Sequence, residues 1–256
     1  MVEAKSLAFE DLAKFYADAD FVDMDYQRLL HDDYGKRRFA LIDPERASAE
    51  FQPGDARLER DGDTTYLTVA DGDGMMVSLI QSNYMGLGSG LVPDGLGFMF
   101  QDRGALFTLE EGHPNIYAPG KRPFHTIIPA FAMKDGEPWL SFGLMGGSMQ
   151  PQGHVQVLVS MLDHGMDVQH AGDAARFNHQ GGRQPTGKHQ DLRGTLYVEP
   201  GVPAETREKL ESMGHRVKVI EDGTMFGGYQ AIQRDPETGV YAGATEMRKD
   251  GTVAAY

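Results

Sequence analysis

In the run Asp63-Thr64-Thr65-Tyr66-Leu67-Thr68-Val69, Thr64 stands at the head of an alternating pattern just after a turn. Hydrolysis of the Asp63-Thr64 bond would leave Thr64 with a hydroxyl and a free α-amino group, and an adjacent amine is one way in which threonine is activated as a nucleophile. That amine titrates at about 7.7 to 8.0 in model peptides, so at neutral pH a useful fraction can accept the hydroxyl proton. The chemistry implied is amide cleavage by a chain that first cuts itself. On local pattern alone the same residues are ordinary strand composition, with Tyr66, Thr68 and Ala70 alternating against Leu67 and Val69. Gly146-Gly147 is the second feature: acyl transfer needs backbone N–H groups aimed at an oxyanion, and glycine lets that backbone come close. In a chain with 32 glycines the pair taken alone reads as a turn.

The elements that would position these groups are legible from period and punctuation. Residues 64 to 70 and 75 to 81 flank Asp73-Gly74, a strong hairpin signal, so Thr64 begins the first strand of a hairpin and sits at an accessible strand end. Residues 51 to 63, rich in Pro, Gly and Asp, read as an exposed linker that reaches the cleavage point. Before it, residues 1 to 50 read as helical, with Leu7, Leu12, Phe15 and Tyr16 near helical spacing and a second segment from Asp25 to Ala40. Phe124 to Phe131 and Trp139 to Phe142 are expected to pair as strands around Lys134-Asp135-Gly136-Glu137. The glycine-rich stretch from Gly143 to Gly147 then leads into a helix whose core face is Val155, Leu158, Val159 and Leu162. A further helix spans Glu205 to Met213, with Pro203 before it and Gly214 after it. Short strands follow at Val217 to Ile220, Gln230 to Gln233 and Val240 to Ala244. This mixture suits a layered α+β domain.

Composition bounds the function class. At 256 residues the chain is long enough for one sizeable domain or two small ones. It is 40% hydrophobic and 24% charged, with no run approaching the roughly 20 apolar residues that cross a bilayer. A formal charge of −14 argues against a nucleic-acid binder, which needs a basic face. Zero cysteines exclude disulfides, thiolate metal sites and a cysteine nucleophile. The segment from Met1 to Leu7 has no basic region followed by an apolar core, so no signal peptide is visible and the cytoplasm is favoured as the compartment.

Taken in order, several motifs resemble the small-subunit region of the γ-glutamyltranspeptidase family of N-terminal-nucleophile hydrolases. They are Thr64-Thr65-Tyr66, Val69 to Gly74, Gln81-Ser82-Asn83-Tyr84, Gly88-Ser89-Gly90, Gly120-Lys121-Arg122-Pro123, Gly146 to His154, Ala174-Ala175-Arg176-Phe177 and Gly243-Ala244-Thr245. The segment from Val2 to Arg46 is similar to the end of that family's large subunit. The resemblance implies a helix-sheet-sheet-helix (αββα) sandwich, incomplete in this chain because a family precursor carries a further N-terminal half. It also implies a division into residues 1–63, a large-subunit-like end with the linker, and residues 64–256, a small-subunit-like catalytic region. In roles, it implies Thr64 as nucleophile, Ser82 as the hydroxyl bonded to it, and Gly146 and Gly147 as the oxyanion hole. Asn83 and Tyr84 align around a substrate contact, and His125 and Thr126 match a serine pair that holds the glutamyl carboxylate.

Departures from the family pattern bear on the substrate. Arg103 and Leu106 stand where the family reads the glutamyl ammonium, and a guanidinium forks well onto a carboxylate, which fits an acylase of dicarboxylic amides. Tyr66 replaces a histidine, and the segment from Thr108 to Gly120 is shorter than the usual lid. The resemblance implies a γ-glutamyl amide hydrolase or transpeptidase with a substrate such as glutathione, no cofactor, and a large-subunit-like partner. Two alternatives come from other classes. One is an uncleaved, non-catalytic module docked on such a partner. The other is a metal-dependent hydrolase, for which the spacing of His164, His170, His179 and His189 is poor evidence, since no His-Glu-x-x-His occurs.

Overall fold

The computed structural model describes residues 1–48, 64–187 and 193–256; the linker expected over residues 51 to 63, Asp63 and His189 lie outside them. Helices α1 (Val2–Phe15) and α2 (Asp32–Phe39) open the chain, with a 3-10 turn at Tyr26–Leu30 in place of a single second helix from Asp25 to Ala40. His31 makes the break: its Nδ1 accepts from the N–H of Asp33 at 3.3 Å and starts α2 afresh. The buried stripe of α1 is Val2, Ser6, Phe9 and Ala13, not the face of Leu7, Leu12, Phe15 and Tyr16. Val2 packs against Leu196 and Val198, while Leu7 and Tyr16 line a groove shared with α2.

Strands β1 (Thr64–Ala70) and β2 (Met76–Ser82) form the hairpin, in register from Thr64 opposite Ser82 to Ala70 opposite Met76. Its turn is tied by the Asp71 carboxylate, which accepts from the N–H groups of Asp73 and Met75. Gly74 supplies a φ of 93° there. Strand β3 (Ala130–Lys134) starts six residues later than Phe124, and the segment before it is not extended ladder; β4 (Glu137–Leu144) follows through Asp135 and Gly136, both at positive φ, as a two-residue hairpin turn requires.

Helices α3 (Met149–Leu162) and α4 (Val168–Asp173) come next, then β5 (Phe177–Gln180), β6 (Thr195–Val198), α5 (Ala204–Ser212), β7 (Val217–Val219), β8 (Tyr229–Arg234) and β9 (Tyr241–Thr245). Three sheets result: β1-β2, β3-β4-β8-β9, and β5-β6-β7 with its last pair parallel. The hairpin packs on β4 and β8, whereas α3 and α4 pack on the opposite side of that central sheet around Leu140, Phe142, Leu144, Val157 and Tyr229. The arrangement is α+β: a helix layer, a four-stranded sheet and the two-stranded hairpin stacked on its other face, an incomplete αββα sandwich.

Helix α3 buries a different face from the expected one: Val155 and Leu162 are exposed, and Met149, Gln150, Gln152, His154, Gln156, Val157 and Met161 are buried. The reason is a polar docking. Gln152 accepts from the N–H of His179 and donates to its carbonyl, and Gln156 does the same to Phe177. Four residues of helix rise about 6 Å and two of strand about 6.6 Å, so glutamines at i and i+4 act as a surrogate strand along β5. Apolar periodicity cannot register a face made of satisfied amides. Among the described residues no helix is long and apolar enough to cross a membrane.

Candidate active site

Thr64 is the first residue of β1, and its Oγ1 donates to Ser82 Oγ across the hairpin at 3.1 Å. The pairing follows from register: directly opposed residues on one face of an antiparallel hairpin hold their side chains about 4.5 to 5.5 Å apart at Cβ, within hydroxyl reach. Ser82 Oγ also accepts from the N–H of Tyr84 at 2.9 Å, and Tyr84 has a φ of 82°, an uncommon conformation for a bulky residue. It is held there from both sides. The carbonyl of Asn83 accepts from the N–H of Asp102, and the Asp102 carboxylate accepts from the N–H of Met85.

Those bonds bring the 3-10 turn Arg103–Leu106 alongside. Arg103 is 3% exposed; its Nη1 donates to Thr126 Oγ1 at 3.3 Å, its guanidinium stands 5.5 Å from the Tyr84 ring centre, and its buried Nη2 has no partner. Burial lowers the Arg103 pKa, the nearby Tyr84 and Asp102 opposing this in part. Thr64, Ser82, Tyr84, Arg103 and Thr126 are thus one contiguous cluster. Asn83 joins it through its backbone. His125 does not: it is exposed, and its Nδ1 is 2.8 Å from the carbonyl of Pro123 in its own loop.

Gly146 and Gly147 have φ values of 117° and 55°, which L side chains rarely adopt. Their carbonyls accept from the N–H groups of Met149 and Gln150 at the start of α3, and neither glycine's N–H donates to another described residue. Both glycines belong to a segment that abuts the positive end of the 14-residue α3. It is tied to the hairpin by Tyr66, whose ring lies on Gly143 so closely that a Cβ there would meet three ring atoms. The Tyr66 hydroxyl is 2.7 Å from Ser78 Oγ, and Thr68 Oγ1 is 2.6 Å from Ser141 Oγ.

A cleft of about 400 Å³ opens along β1 and β8, lined by Thr64, Thr65, Met145 and the C-terminal residues 249 to 254. It takes in the strand headed by Thr64 but none of Ser82, Arg103 or Gly146. Tyr66, Gly143 and this C-terminal stretch were not singled out as site residues from sequence. Tyr66 had a signal, a bulky residue two places after a candidate nucleophile on the same strand face; the C-terminal stretch had none. Histidines do not converge on a metal: among the described residues no group of three or more His, Cys, Asp or Glu gathers. His154 is instead buried, with Nε2 accepting from the N–H of Leu144 at 3.3 Å, and burial next to Arg176 pushes its pKa down to about 4.

A threonine at the head of a strand, laid over a sheet with helices on its far side, places this chain among the N-terminal-nucleophile hydrolases. The gamma-glutamyltranspeptidase family profile matches residues 1–256, and the chain belongs to that family. It is 35% identical over 251 residues to a glutathione hydrolase-like YwrD proenzyme of Bacillus subtilis, covering 98% of this chain and 46% of the relative. It is 34% identical to an oxamate amidohydrolase proenzyme of Klebsiella pneumoniae, covering 100% of this chain and 46% of that protein. Among solved structures, a cephalosporin acylase from Bacillus halodurans superposes with a TM-score of 0.85 at 42% identity, covering all of this chain and 44% of that one. The chain spans a little under half the length of each.

Proposed function

We propose that this chain carries the catalytic half of an amide hydrolase or transpeptidase that cleaves itself before Thr64 and then works through an acyl-enzyme on Thr64. Residues 64–256 are the small-subunit-like catalytic region, and residues 1–63 the end of a large-subunit-like region with its linker. The observation that carries the reading is the Thr64 Oγ1 to Ser82 Oγ hydrogen bond at the head of β1, which orients the hydroxyl before any cleavage.

In maturation, Thr64 Oγ attacks the Asp63 carbonyl carbon and the peptide C–N bond breaks. Asp63 is left as an ester on Thr64, whose nitrogen becomes a free amine. Water then hydrolyses the ester, restoring the hydroxyl. In turnover the amine accepts the hydroxyl proton as Oγ attacks the substrate amide, Gly146 and Gly147 N–H groups stabilise the oxyanion, and the proton passes to the leaving amine. Water or an acceptor amine releases the acyl group. Ser82 orients Thr64, and Tyr84, Arg103 and Thr126 bound the acyl side, with Asn83 contributing through its backbone; His125 stands outside it.

The substrate class is a γ-glutamyl or related amide, such as glutathione. A glutaryl-type acylase activity is the second reading, favoured by the buried guanidinium of Arg103 and by similarity to an acylase. The partner is a large-subunit-like segment or chain, for which the outer hairpin face, with Leu67, Val69, Val77 and Leu79 exposed, provides an apolar seat. Thr64→Ala is expected to remove both self-cleavage and amide hydrolysis while leaving thermal stability close to that of the parent. Residual hydrolysis by Thr64→Ala would sink the assignment.

A further inference from the structure

We propose that Asp18 is a positioning residue for the acyl side of this centre: from the segment that self-cleavage would separate, it holds the loop 120–126 that carries Thr126. The proposal rests on Thr64 being the nucleophile, and it makes the cut-off segment part of the working site. Residues 121–129 belong to no strand, so their backbone N–H groups need acceptors other than a ladder partner. Three side chains supply them. Asp18 Oδ2 accepts from the N–H of Arg122 at 2.8 Å, Asn115 Oδ1 from that of Phe124 at 3.0 Å, and Gln150 Oε1 from that of Ile128 at 2.8 Å. All three side chains belong to buried residues. Thr126 stands between the second and third of these points, its hydroxyl accepting from Arg103 Nη1. Asn115 and Gln150 come from the same region as Thr126, whereas Asp18 comes from the other side of the Asp63-Thr64 bond.

The grip of Asp18 is charged and made at two points. Besides the Arg122 N–H, its carboxylate accepts from Arg122 Nη2 at 2.6 Å, and it is itself fixed by capping the 3-10 turn Ala19–Phe21 through the N–H of Asp20. The bonds from Arg122 hold its carboxyl well below the usual carboxylate range, so the charge persists at any working pH. Asp20 meets Arg122 through its side chain alone and from an exposed position, so it steadies the guanidinium and not the backbone. Lys121 adds a second contact with the same turn, its ammonium 5.4 Å from the Phe21 ring centre while donating to the carbonyl of Pro114. Deleting the Asp18 carboxylate strands no buried charge, because the Arg122 side chain is 66% exposed. What disappears is the acceptor of one backbone N–H, four residues before Thr126.

The test compares four full chains: the parent, Asp18→Ala, Asp18→Asn, and Val2→Ala, which loosens the same segment at its contact with Leu196 and Val198. Amide hydrogen exchange is read by mass spectrometry over residues 120–128, and KM and kcat are measured on a γ-glutamyl anilide and a glutaryl anilide. Asp18→Ala is expected to lower protection in that stretch about tenfold and to raise KM about tenfold, with kcat within about threefold and self-cleavage at the parent rate. Asp18→Asn keeps an acceptor for the Arg122 N–H without the charge and should recover most of both losses. Val2→Ala should melt earlier yet exchange over 120–128, and bind substrate, as the parent does. Parent-like protection or parent-like KM in Asp18→Ala would overturn the proposal. So would a Val2→Ala chain that reproduces both losses, since Asp18 would then act only through general stability. Failure of the nucleophile reading looks different: the parent would neither cut itself nor hydrolyse either anilide, and the exchange data would still decide whether Asp18 holds the loop.

Discussion

The hairpin β1-β2 and the central strands β4 and β8 lie face to face, but they are held by different physics. Leu140, Leu144 and Tyr229 are fully buried, closed in by α3 and α4. The hairpin is covered on its inner face only. There it presents Thr64, Tyr66 and Thr68, joined to Ser82, Ser78 and Ser141 by hydroxyl contacts, while Leu67, Val69, Val77 and Leu79 look outward at 43 to 54% exposure. Close apolar packing makes one region the stable scaffold. Directional, individually weak bonds make the other a positioned attachment whose outer apolar side is exposed in this chain.

The largest effect should come from the scaffold. Leu144→Ala, which opens a cavity where nothing is solvent-exposed, is expected to cost about 2 to 5 kcal/mol, whereas Leu79→Ala on the outer hairpin face should cost well under that in this chain alone. Chemical denaturation of both variants reads the difference; equal losses would mean that the outer face is already covered.

An intermediate effect is set by pH. His154 sits between β4 and α3, and its folded pKa of about 4 lies below the ordinary value of 6.5. The neutral ring is favoured in the fold, so the unfolded chain binds more protons between those values. The contribution is complete above pH 6.5 and is lost as pH falls towards 4, amounting to roughly 3 kcal/mol at most. His154→Gln should flatten that part of a stability-against-pH curve. An unchanged slope would contradict the assignment.

The smallest effect concerns the tie between the two regions. Tyr66→Phe keeps the ring on Gly143 but deletes the bond to Ser78, and should cost about 1 kcal/mol. Gly143→Ala collides with the same ring, so combining it with Tyr66→Ala should be less damaging than the separate losses suggest. A double-mutant cycle in melting temperature measures this coupling. Strict additivity would show that Tyr66 does not brace the strand leading to Gly146.

Much of this division was legible beforehand. The hairpin, its turn, α5 and the strands near the C-terminus announce themselves by period-2 alternation and by Pro and Gly punctuation, whereas the contact of Thr64 with Ser82 comes from the family resemblance, since a two-residue turn at Asp73-Gly74 would set Thr64 opposite Asn83. The helix faces did not, because the buried stripe of α1 is interrupted by Ser6 and α3 docks β5 with glutamines, neither of which leaves a continuous apolar stripe. Among site residues, Arg103 and Thr126 meet through a loop contact 23 residues apart, Tyr66 and Gly143 across two sheets, and the cleft beside Thr64 is closed by residues 249 to 254. Such long-range contacts have no local signature.

The central claim is that Thr64 is set up to cut the chain before it. Intact-mass spectrometry of the purified protein over a time course, with N-terminal sequencing of the products, tests it directly. Two fragments, the smaller-numbered one ending at Asp63 and the other beginning Thr64-Thr65-Tyr66, are expected in the parent chain and absent from Thr64→Ala. Cleavage at any other bond, the same cleavage in Thr64→Ala, or a single uncut mass after prolonged incubation with a large-subunit-like partner would contradict it.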